Sequence, residues 1–178
     1  DRKNKIKLYA QKVFITDDCD EIIPNWLRFI PGIIDSQDIS LNISREMLQN
    51  NPVIAKIKKG VTGKIINELL NLSKKENDKY TEFWKNFGAV IKEGLYDHNE
   101  FHDKLLTLLR FKSTIGEDWI SLDKYLQLIN KNQKELYYFS NIEGNNENLL
   151  KSPQLETFIE KKIPVLFMTD PIDEFWLQ

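Results

Sequence analysis

Apolar and polar positions change their spacing repeatedly along the chain, and each change predicts a different element. In KIKLYAQKVFIT (5–16), Ile6, Leu8 and Ala10 alternate with polar neighbours and lead into Val13-Phe14-Ile15, which predicts a strand. DDCDE (17–21) reads as a turn and helix start. Helical spacing follows through Ile22, Ile23, Trp26, Leu27 and Ile30, up to Pro31-Gly32. An acidic, turn-like segment (Asp35, Ser36, Gln37, Asp38) then leads into LNISREMLQNNP. There Ser44 has the position of a helix N-cap and Arg45 that of the first helical residue. Asn51-Pro52 opens the next helix, with proline at its tolerated first position. Ile54, Ile57, Val61, Ile65, Leu69 and Leu72 mark its apolar face. Gly60 and Gly63 each weaken that helix by about 1 kcal/mol relative to alanine.

SKKENDK (73–79) is a polar break. Beyond it Tyr80, Phe83, Trp84, Phe87, Ile91 and Leu95 form an aromatic-rich helix face that stops near Gly94, and a short helix is predicted around 99–109. From about 110 the pattern alternates. LRFKST, ELYYFS and VLFMTD read as strands; SLDKYLQLI, NLLKSPQLETFIEKK and PIDEFWLQ read as helices. The fold class this predicts is a helix-rich α/β layered (α-β-α) arrangement with at least one crossover. Three segments follow. Residues 1–50 are the C-terminal part of a larger α/β unit, 51–109 a helical connector, and 110–178 a small α/β unit. One clear strand in the first segment is too few for a sheet, so further sequence upstream is expected. The Asp start and the apolar end at Phe175-Trp176-Leu177 carry the same expectation.

Composition narrows the function. Of 178 residues, 25 are basic and 27 acidic, giving a formal charge of −2 and a pI near 5.8. A nucleic-acid surface needs a clear basic excess, so none is expected. No apolar run approaches the roughly 18 residues of a membrane span; IIPNWLRFIPGII (22–34) is interrupted by Asn25, Arg28 and two prolines. Cys19 is the only cysteine, which excludes an intramolecular disulfide and fits a reducing, cytoplasmic location. Its acidic neighbours raise a thiol pKa rather than activate it.

Few residues carry candidate chemistry. The chain has neither GxxxxGK[ST] nor GxGxxG, and Gly60-Val61-Thr62-Gly63 lies within a helix. His98 and His102 stand one helical turn apart in HNEFH, but without a third ligand nearby they read as surface residues, and no metal is expected. Asp170, Asp173 and Glu174 read as helix-start residues around Pro171 rather than as a magnesium site. The aromatic stripe reads first as core; any exposed tryptophan among Trp26, Trp84 and Trp176 would instead mark a partner or client surface. Arg45 is the oddity. A cation at the positive end of a helix is disfavoured. With Gln49 four residues on, its fork of donors could meet a phosphate brought from another domain. Spacing alone favours an ordinary surface arginine and names no function.

A resemblance adds what spacing does not. The run LYAQKVFITDDCDEIIPNWLRFIPGIIDSQDISLNISREMLQNNPVI closely resembles the middle domain of the ninety-kilodalton heat-shock protein chaperones. LLRFKST, QKELYYFS, LKSPQLETF and VLFMTDPIDEF continue the match in order, over essentially all 178 residues. YTEFWKNFGAVIKEG lies closer to the bacterial form of the family. The resemblance implies a homodimeric, ATP-hydrolysing parent with an N-terminal ATP domain and a C-terminal dimerisation domain. ATP and Mg belong to that parent, and this chain alone is expected to bind no cofactor and to be inactive. LNISREMLQ matches the family's catalytic loop: Arg45 falls on the arginine that reaches the γ-phosphate, and Gln49 on its neighbouring glutamine. Phe14, Asn42 and Ser44 fall on positions implied to support that loop, and client proteins are implied partners of the domain's surface. Two departures stand out. Ile39-Ser40 replaces a common Leu-Pro, and Pro31 within IPGII is unusual and should sharpen a helix end. The rival reading is a non-catalytic interaction module in which Arg45 is structural.

Overall fold

The first apolar alternation does not run on through residue 16; it reverses. The computed structural model describes residues 5–17, 19, 21–43, 45–97, 99–116, 118–141 and 146–177, without the side chains of 45, 46 and 146–148. Strands β1 (Lys5–Ala10) and β2 (Val13–Thr16) form an antiparallel hairpin, turned by Gln11 and Lys12 at φ 49° and 67°. Two left-handed residues suit a right-twisted hairpin, a geometry normally announced by Asn-Gly. Gln-Lys carries no such signal, so the sequence predicts one strand where there are two. The turn is held from outside. Gln11 N–H donates to Ser36 O and Lys12 N–H to Asp35 Oδ1, both at 3.1 Å.

Asp35 and Ser36 end a third strand, β3 (Pro31–Ser36), parallel to β1 and giving the order β2-β1-β3. It corrects the single-strand expectation for the first segment. It also replaces the predicted helix end. Over 22–30 only a 3-10 turn forms, at Asn25–Leu27, because Pro24 holds an extended conformation just before it. Ile22, Ile23, Trp26 and Leu27 are buried all the same, as are Ile6, Leu8 and Ala10 of the alternating strand. Pro31 opens a strand paired on one side only, where a missing N–H is tolerated.

Helix α1 (Arg45–Gln49) is five residues long, and α2 (Pro52–Lys75) twenty-four. Asn51 Oδ1 accepts from Val53 N–H at 2.8 Å, capping α2 as its sequence predicts. The buried line of α2 runs through Ile54, Thr62, Ile66, Leu69 and Ser73, while Ile57, Val61, Ile65 and Leu72 are half-buried. The helical period holds, with its centre displaced by one residue. The chain divides into two compact units, Asp1–Asn71 and Leu72–Gln178. The division falls inside α2, and the polar run SKKENDK interrupts the helical course only at Glu76 (φ −137°).

In the second unit α3 (Asn77–Tyr96) packs against α4 (His102–Leu108). After α5 (Leu122–Leu128), β4 (Tyr137–Ser140) lies parallel to β5 (Val165–Met168). The expected strand RFKST is reduced to isolated bridges, Phe111 with Ile120 and Ser113 with Leu166. The crossover between β4 and β5 is not one helix. Pro153 lacks an N–H and needs an extended Ser152 (ψ 128°), which splits it into 3-10 turns and the short α6 (Glu156–Glu160). The chain closes on α7 (Asp173–Trp176), against α3. Among the described residues no helix is long and apolar enough to cross a membrane.

Candidate functional site

The loop from Gln37 to Gln49 leaves the end of β3 and is pinned by two buried apolar side chains, Ile39 near its start and Leu48 in α1. Between them Leu41, Asn42 and Met47 are exposed, and Gln49, just past Leu48, is exposed as well. Local bonds shape its entry. Asp38 N–H donates to Ser36 Oγ (3.2 Å), Asn42 N–H to Ser40 Oγ (3.4 Å), and Ile43 N–H to Ser40 O (3.2 Å). Ser40 thus supplies by hydrogen bonding a turn for which the family pattern more often uses proline. Ile39 keeps the apolar anchor despite its departure from leucine.

Arg45 is the first residue of α1 and Gln49 its last, so the expected spacing on one short helix is present. Ser44, the expected cap, and the Arg45 side chain lie outside the described structure. Five residues are too few to build a substantial helix dipole, so side chains rather than a helix end must carry any chemistry here. Phe14 sits on β2 and meets Tyr9 edge-on (ring centroids 5.6 Å, 73°). It is at the same end of the sheet as the loop but two strands across, about 10 Å from β3 by ordinary strand spacing.

The tryptophans separate. Trp26 and Trp84 are 2% and 3% exposed, so they are core residues and not a client surface. Trp84 fits beneath its own helix only because Gly88 lacks a side chain: a Cβ there would lie 2.6 Å from Trp84 Cε2. Trp176 is half-buried, with its indole N–H donating to Asp173 Oδ1 at 2.8 Å. Beside it the exposed rings of Tyr96 and Phe175 meet edge-on at 6.1 Å, bordering a depression of about 640 Å³ with Leu95, Asn99 and His102.

Asp173 and Glu174 stand in the first turn of α7, as expected, but Asp170 is not its cap: Ile172 holds that position. Asp173 is fully buried and accepts from Lys92 Nζ (2.8 Å), Trp176 Nε1 and Asp170 N–H (3.1 Å); Asp170 Oδ2 takes Lys92 Nζ at 2.9 Å. A lysine on the apolar face of α3 thus ties the acidic cluster down, a role that three carboxylates near Pro171 did not suggest. The signal was Lys92 itself, eight residues beyond Trp84 on the same buried line. Tyr80 and Arg110 were also missed. Tyr80 O–H donates to Leu108 O (2.6 Å), the Arg110 guanidinium stacks 4.7 Å from its ring centroid, and burial raises the Tyr80 pKa against the opposing pull of Arg110. Cys19 is buried. His98 lies outside the described residues, and His102 is exposed beside Asp103. Among the described residues no group of three or more His, Cys, Asp or Glu side chains is placed to hold a metal ion.

The family model described as Hsp90 protein matches residues 1–178. The chain belongs to the Hsp90 family. It is 48% identical over 178 residues to the chaperone protein HtpG of Paramagnetospirillum magneticum, covering 99% of this chain and 28% of that protein. It is 47% identical to the HtpG of Ehrlichia ruminantium and 44% to that of Rickettsia rickettsii, with the same coverage. Among solved structures it resembles the middle domain of a Plasmodium falciparum heat shock protein, with a TM-score of 0.82, 32% identity, and coverage of 99% of this chain and 67% of that one. The chain therefore spans about a quarter of the length of its curated relatives, and its fold is the layered α/β arrangement of an Hsp90 middle domain.

Proposed function

We propose that this chain is the middle region of an ATP-dependent HtpG-type chaperone and completes the parent's ATPase site in trans. Arg45 brings its guanidinium to the γ-phosphate of ATP held, with Mg, by the parent's N-terminal domain, and Gln49 assists. A guanidinium cannot act as the base at neutral pH; its part is to stabilise charge on the transferred group. The observation that carries this reading is the loop's construction. Ile39 and Leu48 fix its two ends in the core while Gln49 stays exposed at the end of the helix that Arg45 begins. A loop so anchored holds its exposed residues ready for a partner domain at little entropic cost. The parent is cytoplasmic and dimerises through its C-terminal domain.

Client proteins are held in part by the exposed pair Tyr96–Phe175 with Trp176. These rings are exposed and adjacent, so they offer apolar area on one patch of the surface.

The test is ATP turnover and ADP affinity of the full-length parent with Arg45→Ala. The expected result is a kcat lowered on the order of 10²-fold with ADP affinity unchanged, because the lost donor acts on the transition state. Unchanged turnover in a folded variant makes Arg45 an ordinary surface residue and the chain an interaction module.

A further inference from the structure

Arg110 is 6% exposed, yet among the described residues it forms no salt bridge. Its Nη1 donates to the carbonyls of Thr107 (3.3 Å), Leu108 (3.3 Å) and Leu109 (2.9 Å) at the end of α4. Those bonds occupy one nitrogen. Nη2 and Nε, with three of the five guanidinium donors, have no protein partner among the described residues. Burial lowers the Arg110 pKa, with Tyr80 and Asp123 opposing, and the group remains a cation largely withdrawn from solvent, with Asp123 near enough to act on it but not bonded to it. An anion reaching its open edge would gain a charge-assisted fork.

Arg110 lines a cleft of about 660 Å³, within the roughly 300–1,000 Å³ of small-molecule sites. Phe111, Trp119 and Phe167 give it aromatic walls, and Lys112 and Lys151 add positive charge. Lys112 Nζ lies 5.7 Å from the Trp119 ring centroid. Among the described lining residues the one carboxylate, Asp170, is already bonded to Lys92. Arg110 also borders a second depression, where Asp78, Glu82, Asp118 and Asp123 largely balance its basic residues and Trp119 is the one aromatic among the described lining residues.

We propose that this cleft binds a small amphipathic organic anion, an aryl carboxylate, sulfonate or phosphate, whose charge meets the free edge of Arg110 and whose ring lies among Phe111, Trp119 and Phe167. The size of the cleft selects a small molecule, its basic excess an anion, and its aromatic walls a planar body. The site shares no residue with the loop carrying Arg45, so the two assignments stand or fall separately.

The experiment titrates the chain with 1-naphthoate and, separately, with neutral 1-naphthamide, following amide, indole and Arg Nε–H resonances by NMR. Saturable shifts are expected at Arg110 Nε–H, the Trp119 indole N–H and the Gly116 amide, with the amide probe binding about tenfold more weakly. Arg110→Lys, which keeps charge but loses the fork, is expected to weaken naphthoate about tenfold. Lys151→Gln should weaken it about two- to threefold, and Lys85→Gln, which lines the other depression and is paired with Glu82, should leave it unchanged. Arg110 also caps α4, so if Arg110→Lys does not fold, Lys151→Gln and the neutral probe decide. Equal affinity for both probes, or saturation that leaves Trp119 and Gly116 unmoved, overturns the assignment.

Discussion

At Gly88 two residue-level effects oppose each other. Alanine in mid-helix gains about 1 kcal/mol over glycine. The added Cβ, however, would stand 2.6 Å from the ring of a buried tryptophan, so ring or helix must shift to admit it. Overpacking of this kind costs about 1–3 kcal/mol. Gly88→Ala is therefore expected to lower stability by about 1 kcal/mol in urea unfolding, against the propensity trend. A gain in stability would show that the ring moves freely. The pair was legible in part: a glycine four residues after a tryptophan leaves a bare strip of helix for the indole to cover. Spacing placed Trp84 on the apolar stripe but could not choose between core and surface, since a stripe has the same period either way. Trp26 went the same way, buried from a 3-10 turn rather than a helix. The catalytic assignment is different in kind. Arg45 and Gln49 owe it to the resemblance of LNISREMLQ, because the phosphate they would serve lies on another domain and leaves no local trace.

At the scale of elements, Lys92 joins α3 to the short α7. Its ammonium is shared by Asp170 and Asp173, and the latter is wholly buried. Lys92→Met keeps the length and apolar stem but strands a buried carboxylate, which costs about 3–5 kcal/mol. We expect a loss of that size in denaturant unfolding, with altered Trp176 fluorescence as its indole partner shifts. A loss below about 1 kcal/mol would mean the pair is solvated and not structural. Elements with a strong period were legible: β1, the course of α2 and α3, and the parallel pair β4 and β5. Those set by contacts far along the chain were not. β3 begins at a proline, where the local pattern predicts a helix end; it is a strand because β1 offers it a full parallel register. RFKST, by contrast, reads as a strand and makes only bridges.

For the whole molecule, the proposal separates two activities onto two units. Arg45 belongs to the first and the Tyr96–Phe175 pair to the second. In the full-length parent, Phe175→Ala is expected to weaken suppression of a heat-denatured client's aggregation several-fold, while ATP turnover without client stays within about twofold, since an exposed aromatic contributes contact area and little folding energy. Arg45→Ala should show the reverse at low nucleotide turnover: slowed hydrolysis with client binding retained. Light scattering and a coupled ATPase assay on the same two variants check both. If Phe175→Ala leaves aggregation suppression untouched, the client surface lies elsewhere. The three-segment reading marks where helices stop, whereas the two compact units meet within α2, a division that no break in the sequence pattern announces.

The hairpin at Gln11–Lys12 also says something about time. Both turn residues occupy a backbone region that costs a non-glycine residue about 1–2 kcal/mol. The bonds that hold them come from Asp35 and Ser36, the first of these 23 residues further along. As the chain leaves a ribosome, β1 and β2 are both made before their turn has anything to lean on. The hairpin must wait for β3, and the three strands form together in one late, non-local event rather than as a hairpin that a third strand later joins.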